Sequence, residues 1–359
     1  MTSTLPREPE PRDPMTPDGA SEVAAVRLRA LGRSVAATWG TAALAAVLFV
    51  ATLMIGKADV SVGEVVTSLL GLSDDGGIDF IVRDLRLPTA ATALAVGAAL
   101  GLSGIIFQKL LANPLASPDF VGVSSGASLF GVAGVVIFGL SGIGTSAMAL
   151  LGATVSAVLI YLLAWRDGIS GYRFILIGIG VQSFMIALTG YVISRADLFE
   201  VPEAMTWVVG SVGHAGSTEL RIVCLVLLLA LPAALVLTRT LHVLELGDDT
   251  ATALGTRVEV SRIALIGVSI VLVGFATAAA GPLLFVALMA GPIAMRLVGG
   301  SGGGLLAAAF VGASIVLAAN LFSQHVLPEP VPTGVVTGAI GAPYLIWLMV
   351  TANREGRGG

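Results

Sequence analysis

The chain has 359 residues, of which 56% are hydrophobic and only 12% charged. Soluble domains average about 25% charged residues, so this composition belongs to an integral membrane protein. A net charge of −4 gives no support to nucleic-acid binding, and the single cysteine, Cys224, excludes an internal disulfide and a cysteine metal cluster.

Residues 1–34 are expected to form a disordered cytoplasmic tail. Met1 to Gly19 is rich in Pro, Glu, Asp, Arg and Thr and lacks an apolar run. It does not read as a signal peptide, since no apolar core follows at the usual distance. Residues 35–352 form the membrane domain, and residues 353–359 a short cytoplasmic C-terminal tail. Crossing the hydrocarbon core takes about 20 apolar residues in a helix. Ten candidate spans follow in order: 36–55, 89–107, 119–139, 144–164, 172–194, 221–238, 262–280, 283–298, 304–322 and 333–351. The third is diluted by Gly122, Ser124, Ser125, Gly126 and Ser128. The eighth is short and carries Gly291-Pro292 at its middle. A shorter run, Ala204 to Val209, reads as a partial helix that does not cross.

Basic residues orient the spans. With the N-terminus inside, 14 of the 19 Lys and Arg residues fall in the tails and inner loops, and 5 fall outside: Lys57, Arg83, Arg86, Arg195 and Arg221. That bias predicts cytoplasmic termini. It also places Glu245 to Gly255 in the cytoplasm. This polar stretch has the length of a short helix, with acidic Asp248 and Asp249 at its start and Gly255 at its stop. Acidic residues suit the positive end of a helix, and glycine suits the position just past its C-terminus. A short amphipathic helix of this kind is a handle for a soluble partner.

Two similar breaks, Ala280-Gly281-Pro282 and Ala290-Gly291-Pro292, are candidate helix interruptions of the sort that transporters place near their pathways. Each is equally readable as a corner or a packing kink. The spans hold no chain of Asp, Glu or His for carrying protons or sodium. His214, His242 and His325 lack metal-ligand spacing, and the serine-rich stretches lack a nucleophile's partners. Only two lysines are present, and neither completes a phosphate-binding Gly-Lys-Ser/Thr turn. Any ATP that drives transport is therefore bound by another polypeptide.

Several segments together resemble one family. Arg86-Leu87-Pro88 opens the second span, followed by the glycine-rich run Gly97 to Gly104. Next come Asn113-Pro114-Leu115-Ala116-Ser117-Pro118-Asp119-Phe120-Val121-Gly122 and the acidic handle. Ala280-Gly281-Pro282, Val331-Pro332-Thr333-Gly334 and Gly341-Ala342-Pro343 follow near the end. This pattern is similar to the FecCD/BtuC-like permeases of type II ATP-driven importers for ferric siderophores, haem and cobalamin. It covers roughly residues 35–352.

The resemblance implies an all-α membrane fold of about ten transmembrane helices in the bacterial cytoplasmic membrane. It implies a transporter subunit rather than an enzyme, with no cofactor or metal bound by the chain itself. The implied partners are two ATPase subunits, a second permease subunit, an extracytoplasmic substrate-binding protein and membrane lipid. The implied cargo is a ferric siderophore, with haem or cobalamin as the alternative. An ion-coupled secondary transporter is the reading from another class. By resemblance the handle is the ATPase-coupling helix, carried by Gly247, Asp248, Asp249, Ala251, Leu254 and Gly255. Asn113, Pro114, Leu115 and Pro118 line an inner gate or simply fix a tight turn. Trp207, Gly210, Ser211, Gly291 and Pro292 are pathway candidates, although Trp207 is equally explained as an interface anchor.

The family's outer-face element is Arg-Leu-Pro-Arg. Here Arg86 fits the first arginine, Thr89 replaces the second, and Gln324 stands at a further basic position. Arg86, with Arg83, is then this chain's share of the binding-protein docking charge. A heterodimer with a paralogue follows from that weak surface, and a homodimer is the other option. The Pro-His of the family's eighth span is Gly291-Pro292 here, which removes any role carried by that histidine.

Overall fold

The computed structural model describes residues 17–73, 75–165, 171–299 and 304–355. The N-terminal residues 1–16, Arg166 and the last four residues lie outside that set. Among the described residues the chain is helical throughout. In order the helices are α1 (Pro17–Met54), α2 (Val62–Leu70), α3 (Gly76–Asp79) and, after a π-helical stretch over Phe80–Arg86, α4 (Leu87–Leu110). A 3-10 turn over Pro118–Val121 leads into α5 (Val123–Val136), α6 (Ile143–Ala164), α7 (Gly171–Ile193), α8 (Val201–Val209) and α9 (Ser217–Leu244). The remainder are α10 (Asp248–Ala253), α11 (Val258–Ala280), α12 (Val286–Val298), α13 (Leu305–His325) and α14 (Thr333–Glu355).

Among the described residues, eight helices are long and apolar enough to cross a membrane, and α5 and α12 are shorter apolar helices. These ten match the ten expected spans. With 14 and 13 residues, α5 and α12 reach only about 20 Å at 1.5 Å per residue, short of a core about 30 Å thick. The rest of each crossing is non-α backbone: the 3-10 turn with its flanks over 117–122 in one, and irregular backbone over 281–285 in the other. Helix α8, at 9 residues, does not cross.

Disorder was expected over residues 1–34, but the chain is helical from Pro17 onward. The stretch from Ser21 to Ser34 is built from Ala, Val, Leu, Arg and Glu, mostly strong helix formers. It is also tied down. Arg33 donates from Nε to the Leu297 carbonyl at 3.2 Å and from its guanidinium NH2 to that of Arg296 at 2.9 Å. These are carbonyls at the open C-terminal end of α12, where a cation is favoured.

Helix α4 is the axle of the molecule. It is apolar all round, as a helix without a solvent or lipid face must be, and α9, α11, α12 and α13 pack against it. Gly97, Gly101 and Gly104 let neighbouring backbones close on it, as small residues do in membranes. A Cβ on Gly101 would stand 2.1 Å from the Ala308 carbonyl oxygen, and one on Gly104 would stand 1.9 Å from that of Ala287. Ser103, fully buried, donates its hydroxyl to the Ser269 carbonyl at 3.0 Å.

Candidate permeation pathway and docking handle

The handle forms as read. Gly247 at φ 96° turns the chain off α9, α10 runs for 6 residues, and Gly255 at φ 81° ends it. Only Ala251 is buried, while Leu246 and Leu254 are each 62% exposed. The acidic pair divides its work. Asp248 accepts from Arg262 of α11 at 2.9 Å, which pins the handle to the next span. Asp249 is exposed on the open side. Upstream, Glu245 accepts from Lys109 at 2.9 Å and so ties the handle to the end of α4.

Lys109 leads directly into the turn at Asn113–Pro118. The Asn113 side-chain oxygen accepts from the Leu115 N–H at 2.9 Å, closing a local turn. Asn113 and Pro114 border a cavity of about 270 Å³ together with Gln108, Glu245 and Pro292. The fold thus brings the turn, the handle's base and one of the expected breaks to one place.

That break does not interrupt its helix. Helix α12 continues through Gly291 and Pro292. A proline inside a helix leaves the carbonyl four residues earlier without its donor. Here that carbonyl belongs to Leu288, and it accepts from the Gln108 side-chain amide at 3.0 Å. Gly291 leaves room for that amide, since a Cβ there would lie 1.8 Å from Gln108 Oε1. Both Gly291 and Pro292 are buried against α4. The other break is real: α11 ends at Ala280, and Gly281 takes φ 69°.

The far face holds the second cluster of candidates. The Ser211 N–H donates to the Ala280 carbonyl at 2.7 Å, and the Gly334 N–H donates to the Gly210 carbonyl at 3.0 Å. The end of α8, the end of α11 and the start of α14 therefore meet at one corner. Gly210 takes φ 83°, and a Cβ on it would lie 2.5 Å from the Pro282 carbonyl oxygen, so no other residue fits. Trp207 packs over Gly131 of α5 and borders a small cleft with Ser211 and Gly281.

Between the two faces lies the largest cavity described, about 370 Å³. It runs along α7 from Gln182 to Ile193, a rise of about 16 Å. Both non-α segments that precede the short helices reach it: Ser117 and Asp119 from one, Pro282, Leu284 and Phe285 from the other. Non-helical backbone at membrane depth is tolerated only inside protein or along a cavity. The segments that lead into the two short helices therefore make this cavity the candidate pathway segment. Neither Gly291 nor Pro292 borders it.

Asp119 lies within the sequence motif but was not among the candidate site residues, which stopped at Pro118. Asp119 is buried, with 8% relative exposure. Ser124 donates to one oxygen at 2.7 Å and Ser117 to the other at 3.4 Å. The available signal was an acidic residue flanked by serines at the threshold of an apolar helix.

The two arginines of the far face are engaged within the chain. Arg86 donates to the Leu53 and Met54 carbonyls, at 2.8 Å each, and to the Ala58 carbonyl at 2.5 Å. Arg83 donates to the Ser68 carbonyl at 2.6 Å. Both guanidinium groups thereby cap helix ends within residues 53–86.

A model of the FecCD transport family, by that description, matches residues 44–351. The chain belongs to the FecCD transport family. It is 38% identical over 301 residues to the ferric enterobactin transport system permease protein FepG of Escherichia coli (strain K12), covering 84% of this chain and 91% of that one. It is 37% identical over 311 residues to the achromobactin transport system permease protein CbrC of Dickeya dadantii (strain 3937), covering 84% and 88%. A solved structure described as a metal-chelate type ABC transporter in an inward-facing conformation superposes with a TM-score of 0.76 at 28% identity. That match covers 88% of this chain and 99% of the other. The chain is thus a multi-pass inner-membrane transport permease of the ABC importer kind, not an enzyme.

Proposed function

We propose that this permease translocates a ferric siderophore, as one half of a heterodimer over two ATPase subunits. The observation that carries the cargo class is the FecCD family match, with relatives named for ferric enterobactin and achromobactin. The cavity along α7 supports it: its volume suits one lobe of a bulky chelate in a pathway that two subunits complete.

The handle is the ATPase-docking element, and its face is cytoplasmic. Support comes from the basic-residue bias and from the exposed Asp249, Leu246 and Leu254. Asp248 sets the handle's position through Arg262, while Asp249 faces the partner. Arg83 and Arg86 shape the outer segment 53–86 rather than offering free charge to a binding protein. With Thr89 and Gln324 uncharged, the stronger docking lobe belongs to a paralogous subunit.

Uptake of radiolabelled ferric chelates, haem and cobalamin by proteoliposomes holding this chain, its paralogue, the ATPase and the binding protein tests the function. ATP-dependent accumulation of a ferric siderophore is expected. Accumulation of haem or cobalamin with no ferric chelate would overturn the cargo. Full uptake without the paralogue would overturn the heterodimer.

A further inference from the structure

The hydroxyl groups of the pathway cavity have one property in common: each spends its proton on the chain. Ser117 and Ser124 donate to the two oxygens of Asp119. Ser125 donates to the Gly122 carbonyl at 2.8 Å, and Ser128 to that of Ser124 at 3.1 Å. Thr189, across the cavity on α7, donates to the Met185 carbonyl at 2.8 Å. A hydroxyl has one proton and two lone pairs. With the proton committed, only lone pairs are left for whatever occupies the cavity.

Asp119 adds a carboxylate, which is acceptor-only when ionised and keeps lone pairs beyond the two serine bonds. Among the described residues, no Lys, Arg or His lines the cavity to offset it. The Gln182 amide borders the same space and can both donate and accept without carrying charge. The side-chain wall is therefore rich in acceptors and carries no cation. The remaining lining side chains are apolar.

We propose that this wall is a cargo subsite that accepts hydrogen bonds. It favours ferric chelates with a neutral or cationic, donor-bearing rim over polyanionic ones. The proposal rests on the ferric-chelate function above and narrows its substrate class. A rim bearing amide N–H, hydroxyl or ammonium groups finds partners along Asp119, Ser124 and Ser128. A trianionic tris-catecholate complex finds acceptors facing its own acceptors, in a cavity where water screens poorly.

The test uses the assembled permease pair with its ATPases in lipid nanodiscs, without the binding protein, so that upstream selectivity is absent. Retention of two radioiron probes is measured by equilibrium dialysis: the iron(III) complex of desferrioxamine, a trihydroxamate with one ammonium, and iron(III) enterobactin, a trianion. The first is expected to be retained better by roughly tenfold, the order of one charge acting across a partly hydrated cavity. Asp119→Asn and Gln182→Lys should each shift the ratio of the two toward the trianion. A ratio is read because misfolding lowers both probes together. Gln182→Lys leaves Asp119 and its serine bonds in place, so it decides the matter if Asp119→Asn fails to assemble. Retention of neither probe, equal retention, or a ratio unmoved by Gln182→Lys would overturn the subsite. The ferric-chelate function would survive each of these results, because only the uptake assay addresses it.

Discussion

At the residue scale, the most consequential contact is the one between Gln108 and the Leu288 carbonyl. Pro292 creates a buried acceptor without a donor, and Gln108 of another helix supplies the donor. Leaving such a group unsatisfied costs about 1–3 kcal/mol. Gln108→Leu should therefore lower the thermal unfolding midpoint of the purified protein. Pro292→Ala restores a backbone N–H that can reach Leu288. The double variant should then be less destabilised than the sum of the two single changes, which a double-mutant cycle measures. Additive losses would show that the amide does not serve the proline. The glutamine is legible in the sequence as a large amide near a span. Its partner is not, because 180 residues separate the two.

At the element scale, the close packing of α4 and the handle give separate tests. Helix α4 tolerates no Cβ at Gly101, where the opposing atom is a backbone oxygen that cannot rotate away. Overpacking of this kind costs typically 1–3 kcal/mol. Gly101→Val should reduce the yield of folded protein in size-exclusion chromatography, whereas Gly267→Ala, which meets open space, should not. In the handle, Asp248 and Asp249 should separate by assay. The Asp248–Arg262 pair is partly exposed, so Asp248→Asn costs at most about 1 kcal/mol of stability. It should slow uptake by loosening the handle while the ATPase still co-purifies. Asp249→Lys opposes the helix dipole by about 0.3–1 kcal/mol and should weaken ATPase co-purification itself. Equal behaviour of the two variants in both assays would refute the division of labour.

At the scale of the whole molecule, contacts sort into two faces. Lys109 with Glu245, Asp248 with Arg262, and Arg33 with the end of α12 lie on the handle's face. Arg86 with Leu53 and Met54, and the corner of Gly210, Ala280 and Gly334, lie on the other. The eight long helices are each long enough to link one face to the other. Labelling therefore tests the orientation in a Cys224→Ser background. Lys57→Cys should react with an impermeant maleimide in intact cells, and Thr250→Cys should react only after permeabilisation. External labelling of Thr250→Cys would reverse the assignment.

By itself the sequence determined the class, the ten apolar helices and the handle. Each of these is a local property: apolar length sets a crossing, and an acidic start with a glycine stop sets a short exposed helix. The N-terminal expectation failed in part because composition describes an isolated segment, whereas Arg33 is fixed by the distant end of α12. Two similar Ala-Gly-Pro breaks were visible, yet only the tertiary structure decided that the first ends a helix and the second does not. At the first, Gly281 takes a positive φ; at the second, Gln108 satisfies the Leu288 carbonyl that Pro292 leaves without a donor. The role of Asp119 was likewise decided in three dimensions. Its environment is made by α5, α7, α8 and the 281–285 corner, whose convergence no single stretch of sequence encodes.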